Sequence, residues 1–335
     1  MTTSESNIEG FGQTLSALKD AISKAIVGQE RVVEEVLFCL FAGGHVLLEG
    51  APGLGKTLLV RSLGQALSLD FSRIQFTPDL MPSDIVGTQM IVEDGGRKRF
   101  ELQRGPIFGQ IVLADEVNRA TPKTQSALLE AMGEGSVTIA GERHALKEPF
   151  FVLATENPIE MEGTYPLPEA QLDRFLFKVL VPAPDENTLV SILERTTGTQ
   201  KNEVPKVMDG PTIMAARALV RQVRCAEPIV RYVARLIGAS DPTDENASSS
   251  AKKWLRYGPG VRGAQGLLLS AKVAALSAGR AHVSYEDITR VLHPTLRHRL
   301  IPSFEAEAEG VRPDSILDAI AAEVPRGSEG MRALG

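Results

Sequence analysis

The sequence predicts an α/β fold with a parallel sheet sandwiched by helices, followed by a small all-α domain. Two observations support this fold class. Short apolar strand patterns alternate with helical patterns between residues 45 and 181, which is typical of parallel sheets covered by helices on both faces. Residues 182–185, with the sequence Pro-Ala-Pro-Asp, end the alternation, and only helical patterns follow. We therefore expect an α/β domain over residues 1–184 and an all-α domain over residues 185–335.

Hydrophobic spacing and boundary residues justify each predicted element. Leu15, Leu18 and Ile22 recur at helical spacing, whereas short continuous apolar runs bounded by turn residues indicate strands. Residues 239–250 are rich in Ser, Asp and Pro and are expected to form a mobile loop. Residues 305–309 alternate Glu and Ala and are expected to form an exposed linker. In chain order the predicted elements are helices 11–27 and 32–40, strand 45–48, helix 58–67, strand 74–76, a hairpin near 88–102, strand 111–114, helix 124–132, a hairpin near 136–147, strands 150–154 and 176–181, and helices 189–195, 213–225, 229–237, 263–278 and 286–292.

The composition excludes several classes of protein. The 335 residues carry 36 Lys and Arg against 42 Asp and Glu, and this net charge of −6 argues against a nucleic-acid-binding protein. Two cysteines, Cys39 and Cys225, cannot build a disulfide framework, and no apolar run approaches the ~18 residues of a membrane span. The polar, acidic N-terminal residues differ from a signal peptide. These features predict a cytoplasmic protein without a membrane span.

A phosphate-binding loop follows the first predicted strand. Its pattern, GxxxxGK[ST], needs glycines so that backbone N–H groups can point at phosphates, a lysine for the β- and γ-phosphates, and a hydroxyl for Mg²⁺. Lys56 and Thr57 supply the last two groups. The alternative interpretation is an ordinary glycine-rich turn between a strand and a helix. The residues assigned to nucleotide binding here are Gly50, Ala51, Pro52, Gly53, Leu54, Gly55, Lys56, Thr57 and Leu58.

Polar residues end two later apolar strands. Asp115 and Glu116 follow residues 111–114, and we expect the first to hold Mg²⁺ and the second to polarise an attacking water. The alternative is a pair of acids that are merely exposed at a strand end. Asn157 follows the next long strand and is expected to hydrogen-bond the water and the γ-phosphate, or else to be a turn residue before Pro158. All these groups fall at the carboxyl ends of parallel strands, where ligands bind in such sheets.

These motifs, in this order, resemble those of the AAA+ ATPases, and longer stretches resemble the MoxR family within that group. The similarity extends from about residue 26 to residue 300. The two predicted hairpins fit the helix-2-insert group to which that family belongs. The stretches that carry the resemblance are residues 75–87 (QFTPDLMPSDIVG), 115–120 (DEVNRA), 123–132 (KTQSALLEAM) and 167–175 (LPEAQLDRF).

The resemblance implies that three arginines act at an ATP site. Arg174 matches the arginine finger, which enters the neighbouring subunit's site and stabilises transition-state charge; the alternative is a surface pair with Asp173. Arg119 is a second candidate for reaching across the subunit interface. Arg262 matches the second-sensor arginine, although it lies in a Gly-Val-Arg segment where the family has Ser-Pro-Arg. Whether Arg262 acts in its own subunit stays open at this point.

The resemblance also implies cofactors and partners. The cofactors are ATP and Mg²⁺, and Gly28 and Gln29 match the segment that lies on the adenine side of the nucleotide. The second domain corresponds to the AAA+ lid. The family implies a homo-oligomer, a hexameric ring, that remodels or matures protein clients. Metal-cofactor insertion and clients with a von Willebrand factor A domain are associated with the family.

Other classes of function fit the sequence less well. A DNA-dependent AAA+ motor or clamp-loading ATPase is the main alternative, and the acidic balance and the lack of a winged-helix or zinc module count against it. A GTP switch would need an Asn-Lys-x-Asp segment, which this chain lacks. A small-molecule kinase would leave Arg174 and the all-α domain unexplained. His293 and His298 have poor spacing for one helix face and are expected to be structural.

Overall fold

The computed structural model describes residues 2–94, 97–157, 163–197 and 203–327. In the first part of the chain the elements are α1 (Thr2–Ser23), α2 (Glu30–Ala42), β1 (Val46–Glu49), α3 (Lys56–Leu67), β2 (Phe71–Gln75), α4 (Pro82–Val86), β3 (Gly87–Asp94), β4 (Arg97–Arg104), β5 (Ile111–Asp115), α5 (Pro122–Glu134), β6 (Ser136–Ile139), β7 (Glu142–Ala145), β8 (Phe151–Glu156), α6 (Glu169–Leu172) and β9 (Phe177–Leu180). The second part contains α7 (Glu186–Thr196), α8 (Gly210–Gln222), α9 (Glu227–Ser240), α10 (Ser249–Trp254), β10 (Leu255–Tyr257), α11 (Val261–Ser277), α12 (Tyr285–Leu296), β11 (Ile301–Pro302), α13 (Phe304–Ala308) and α14 (Pro313–Glu323).

Five parallel strands form the central sheet in the order β2-β5-β8-β1-β9. Because all five run the same way, they all begin at one edge of the sheet, which we call the amino edge, and all end at the other, the carboxyl edge. The register sets Glu49 opposite both Glu156 and Leu180, and Gln75 opposite Asp115. The predicted parallel sheet is confirmed, and its carboxyl edge collects the polar last residues of four strands, Glu49, Gln75, Asp115 and Glu156.

Two apolar cores cover the two faces of the sheet. Successive strand side chains point to opposite faces, so Leu113 and Leu153 enter one core while Val112 and Val152 enter the other. The first core contains α1, α2, α3 and much of the lid helices; the second contains α4, α5 and β6. These strands are apolar throughout because both of their faces are buried.

Two antiparallel hairpins project from this sheet. In the pair β3–β4, Gly87 lies opposite Arg104, and the predicted turn at residues 95–96 lies outside the described residues. In the pair β6–β7 the connecting residues Ala140 and Gly141 both have positive φ, as a two-residue hairpin turn of the mirror-image type requires. Both predicted hairpins are therefore present.

The second part of the chain is mainly helical and lies against the first. Helix α11 contacts α2, and α12 contacts the edge strand β9. A capping box forms at the start of α12, because Ser284 and Asp287 exchange side-chain and backbone hydrogen bonds. A short antiparallel pair, β10–β11, accompanies the helices. The division at residues 184 and 185 stays a prediction.

Two segments differ from the sequence-based expectation. Residues 305–309 were expected to be a linker, but helix α13 covers most of them, with Ser303 as its N-cap and Ala306 fully buried. The expected loop at 239–250 is shorter than predicted, because α10 begins at Ser249. The side chain of Ser248 caps that helix by accepting from the amide of Ala251. None of the helices in the described ranges combines the length and the apolar character that crossing a bilayer requires.

Candidate active site

The phosphate-binding loop joins β1 to α3 at the carboxyl edge. Gly53 and Gly55 have φ angles of +82° and +78°, in the left-handed region that glycine adopts without steric cost. Helix α3 begins at Lys56, and geometry leaves the backbone N–H groups of its first turn without intrahelical acceptors. Unpaired amides at the positive end of a helix dipole form a site for anions. The backbone of this loop is therefore suited to bind phosphate.

The side chain of Lys56 connects this loop to the acidic residues of β5. Its ammonium donates to the carbonyl of Gly50 at 2.5 Å and lies 3.4 Å from that of Ala51. Burial lowers the pKa of Lys56 from its ordinary value, while the negative charges of Asp115 and Glu116 oppose that change. The lysine of the loop and the two acids, far apart in sequence, therefore share one site.

Thr155, near the end of β8, holds both acids in place. Its hydroxyl donates to Oδ1 of Asp115 at 2.7 Å and accepts from the backbone amide of Glu116 at 2.8 Å. Glu116 has φ +56° and ψ +50°, a left-handed conformation that is uncommon for a residue with a side chain. Strained backbone of this kind persists only where surrounding contacts determine it. Thr155 provides such a contact, and the sequence motifs did not point to it.

Three more polar side chains complete this network. Oε2 of Glu116 accepts from Gln75 at 2.9 Å and from Arg119 at 3.0 Å. Arg73 donates twice to Oδ2 of Asp115, at 2.7 and 3.2 Å. Arg119 thus lies against the glutamate of its own chain, and its reach across a subunit interface stays a prediction. Arg73 and Gln75, both on the edge strand β2, were not predicted from the sequence.

The residues expected at a magnesium ion fit that ion chemically. Thr57 is the second residue of α3, directly after the lysine of the loop, and its hydroxyl is an oxygen ligand. The carboxylate of Asp115 is largely buried at the end of β5. Oxygen ligands from one or two protein side chains, with phosphate oxygens supplying others, are what Mg²⁺ takes in nucleotide sites. The pair therefore has the right donor chemistry.

The other residues expected to contact the nucleotide lie around the same edge of the sheet. Asn157 is buried directly after β8. Gln29 donates to the carbonyl of Leu54 at 2.8 Å, so the segment before α2 touches the phosphate-binding loop. Gly28 has φ +70°, and a Cβ atom built there would lie 2.2 Å from Cγ2 of Thr188 in α7. Only glycine allows this close approach, which brings α7 against the segment assigned to the adenine side.

Arg174 lies at the opposite edge of the sheet. It precedes β9, whose first residue, Phe177, pairs with the first residue of β1. Its Nη1 donates to the carbonyl of Leu129 in α5 at 2.7 Å. That part of α5 is at the amino edge, because the carbonyl of Met132 bonds His45, directly before β1. A strand of this length spans about 10 Å, so Arg174 and the phosphate-binding loop of the same chain are separated by the sheet.

Arg262 lies on the same side as Arg174. Its Nη1 is 3.4 Å from Oδ2 of Asp173, the residue before Arg174. Oδ1 of the same carboxylate accepts from Nε of Arg299 at 2.8 Å. Asp173 and Arg174 therefore each bind other groups, whereas the alternative interpretation of Arg174 was a surface pair between these two side chains. Of the three arginines expected at an ATP site, Arg174 and Arg262 are thus gathered at the amino edge, away from their own chain's loop.

The fold and this site define a P-loop ATPase of the AAA+ class with an attached lid. Residues 45–177 match the ATPase family associated with various cellular activities (AAA), and residues 249–320 match the AAA lid domain. A crystal structure of a Cytophaga hutchinsonii protein, described as a candidate ATPase, superposes with a TM-score of 0.89 at 38% identity, covering 96% of this chain and 98% of that one.

Relatives of nearly full length narrow the class to one family. Chaperone MoxR1 of Mycobacterium tuberculosis is 38% identical, with 93% of this chain and 83% of that protein covered. Protein YeaC of Bacillus subtilis is 42% identical over 94% of this chain and 96% of its own length, and protein MoxR of Paracoccus denitrificans is 31% identical over 96% and 98%. The chain belongs to the MoxR family of AAA+ ATPases, and it is a nucleotide-binding enzyme that hydrolyses ATP.

Proposed function

We propose that this ATPase requires Mg²⁺, assembles head to tail into a ring, and uses ATP hydrolysis to remodel or mature a protein partner. One observation carries the proposal: Arg174 and the phosphate-binding loop lie at opposite edges of the same sheet. An arginine finger in that position can serve only the site of another subunit. A repeated contact between two different faces closes into a ring, for which a hexamer is the expected size.

Within one subunit, each residue of the site has a distinct task. Lys56 exchanges its carbonyl acceptors for the β- and γ-phosphates, and the loop amides bind the phosphate oxygens. Thr57 and Asp115 would hold Mg²⁺, which neutralises charge on those oxygens. Glu116, oriented by its neighbours, positions and polarises the attacking water, and Asn157 contacts the water or the γ-phosphate.

The neighbouring subunit supplies the remaining positive charge. Arg174 would stabilise charge on the transferred phosphoryl group, a contribution worth 10³–10⁵ in kcat for arginine fingers. Arg262 shares the amino edge with Arg174 through Asp173, which supports a role in the neighbour's site rather than in its own. Arg119, held by Glu116 of the same chain, is the less direct candidate for such a contact.

The trans arrangement can be tested with mixed oligomers of Arg174→Ala and Glu116→Gln. The two variants are co-expressed with different affinity tags and purified through both tags. Each variant alone has no complete site, whereas random mixing makes about a quarter of the interfaces whole. Phosphate release at about a quarter of the wild-type rate is expected, against near-zero rates for the separate variants. A mixture no more active than the two separate variants would contradict the trans role.

The proposed client is a protein, as the name of the chaperone relative suggests. The family resemblance points to maturation, including metal-cofactor insertion, and to partners with a von Willebrand factor A domain in the cytoplasm. Glu116→Gln, loaded with ATP, is expected to retain such a partner in a pull-down, because it binds ATP without hydrolysing it. Lys56→Ala is the matched control that should retain none. Stimulation of the ATPase by DNA instead would favour a DNA-dependent motor.

A further inference from the structure

Three consecutive basic residues of the lid, Arg297, His298 and Arg299, bind the backbone of the first domain. We call them the basic triplet. They follow α12 and are all buried, and each donates to a carbonyl that lies between residues 173 and 178. Of these carbonyls, that of Lys178 belongs to the edge strand β9, and that of Phe175 lies two residues before the strand begins. The basic triplet pairs these groups with lid side chains.

Arg299 makes the most complete of these contacts. Its Nε donates to Oδ1 of Asp173 at 2.8 Å, and its Nη2 donates to the carbonyls of Asp173 and Phe175 at 3.2 and 2.8 Å. Its Nη1 donates to the carbonyl of Leu176 at 3.2 Å and to that of Thr295, near the end of α12. A guanidinium has five N–H donors, and here each has an acceptor. Four of the five acceptors belong to residues 173–176, which we call the finger segment.

Arg174 is the residue of the finger segment that Arg299 does not bind. Its neighbours on both sides, Asp173 and Phe175, are fixed by the same buried guanidinium, while the side chain of Arg174 itself is directed toward α5. Asp173 also contacts Arg262, so the carboxylate next to Arg174 in the chain binds two arginines of the lid, Arg262 and Arg299. The backbone that carries Arg174 is therefore held by the lid as well as by the sheet.

We infer that Arg299 is the positioning residue for Arg174: it fixes the finger segment to the lid, so that Arg174 reaches the neighbouring ATP site in a set geometry. Arg299 is too deeply buried to touch a nucleotide itself, with 4% of its side chain exposed. Displacement of the lid would move the finger segment with it, and this would couple the lid of one subunit to catalysis in the next. This inference rests on the proposed trans role of Arg174.

The test compares Arg299→Lys with the matched control Arg297→Lys. Lysine keeps the charge but offers three donors from one nitrogen, so it cannot bind four groups of the finger segment at once. Arg297 is equally buried, but it binds Asp314 and the carbonyl of Lys178 instead. We expect Arg299→Lys to lower kcat about 100-fold, as a ~1 Å misplacement does, with an unchanged Kd for ATP. Arg297→Lys should keep kcat near the wild-type value.

Mixed oligomers separate positioning of the finger from damage to the variant's own site. Arg299→Lys is combined with Glu116→Gln by tandem purification, as for Arg174→Ala. Activity should recover to about a quarter of the wild-type rate, because the Glu116→Gln chains supply correctly held fingers to intact sites. In a double variant, Arg174→Ala with Arg299→Lys, kcat should be no lower than in Arg174→Ala alone, since both changes act through one group.

The outcomes distinguish this inference from the proposed function. Wild-type kcat in Arg299→Lys, a weakened ATP affinity, or failure to recover where Arg174→Ala does recover would each overturn the positioning role alone. Failure of Arg174→Ala to recover would overturn the trans role, and the inference with it. Should Arg299→Lys not fold, Asp173→Asn keeps the shape of the partly exposed acid and removes its charge. Asp173→Asn should also lower kcat, and its activity should recover in mixed oligomers with Glu116→Gln.

Discussion

Thr155 organises the hydrolytic end of the site through a single hydroxyl. It donates to the carboxylate of Asp115 and accepts from the amide of Glu116, so one side chain orients the proposed metal ligand and the proposed water-positioning residue together. Hydrogen bonds to charged groups contribute about 1.5–3 kcal/mol each, more than those between neutral groups. Loss of this hydroxyl should therefore affect catalysis more than ATP binding, which depends on the loop and Lys56.

We predict that Thr155→Val lowers kcat about 10- to 100-fold and leaves the Kd for ATP nearly unchanged. A decrease in kcat of this size is expected from the loss of a hydrogen bond to a charged group. Valine has almost the same shape, so the buried position stays filled. Thr155→Ser keeps the hydroxyl and is the control that should retain most of the rate. Steady-state phosphate release and fluorescent-nucleotide titration measure the two quantities. A wild-type kcat in Thr155→Val would mean that Glu116 is oriented by Gln75 and Arg119 without it.

At the scale of single residues, the sequence predicts some members of the site and not others. Lys56, Thr57 and Asp115 could be predicted because a fixed motif or a strand end places them, whatever the order of the strands. Arg73 and Thr155 could not, because their contacts with Asp115 exist only where β2 and β8 flank β5. That strand order is a long-range property, and no local spacing in the sequence carries it.

At the scale of elements, the buried side chain of His45 joins strand β8 to helix α5. Nδ1 of His45 accepts from the amide of Val152 at the start of β8, and its Nε2 lies 3.2 Å from the carbonyl of Met132 in α5. Both bonds are satisfied at once only by the neutral ring protonated at Nε2. Burial lowers the pKa of His45 from 6.5 to about 4. Protonation would place two N–H groups against each other and a charge in the core.

The resulting pH dependence has a definite sign. A histidine whose pKa is lowered by folding contributes its full stability above pH 6.5 and loses it as the pH falls toward 4. The difference between these pKa values corresponds to about 3 kcal/mol in the free energy of unfolding. We predict that His45→Gln is less stable than wild type at pH 7.5 and that this deficit narrows at pH 5. Urea titrations of both proteins at the two pH values measure this deficit.

Elements with clear periodicity could be predicted, and those defined by distant contacts could not. The core strands and helices α2, α3, α11 and α12 follow from apolar spacing and from caps. Strand β11 has two residues and exists because it pairs with β10, so it has no pattern of its own. His298 was expected to be structural, and its Nε2 lies 3.0 Å from the carbonyl of Phe175, but only the fold reveals that partner.

At the scale of the whole molecule, the proposed trans arrangement assigns complementary halves of one ATP site to the two edges of the sheet. The carboxyl edge has the phosphate-binding loop and the acids, and the amino edge has Arg174 and Arg262. Under this proposal, a chain would gain a complete site only by placing its amino edge against the carboxyl edge of a second chain. ATP bound at that junction would contact both chains, so the nucleotide should strengthen assembly by mass action.

We therefore predict that ATP drives ring formation, and that loss of Arg174 and Arg262 together weakens it. Six chains of 36.1 kDa give about 217 kDa. With saturating ATP and Mg²⁺, light scattering of micromolar Glu116→Gln should approach this mass, because this variant keeps its ATP. A triple variant that also carries Arg174→Ala and Arg262→Ala should show a smaller mass, because the γ-phosphate then lacks its partners from the neighbouring chain. Lys56→Ala is the control, whose mass should not respond to ATP. A fully active wild-type enzyme that stays monomeric under these conditions would refute the arrangement.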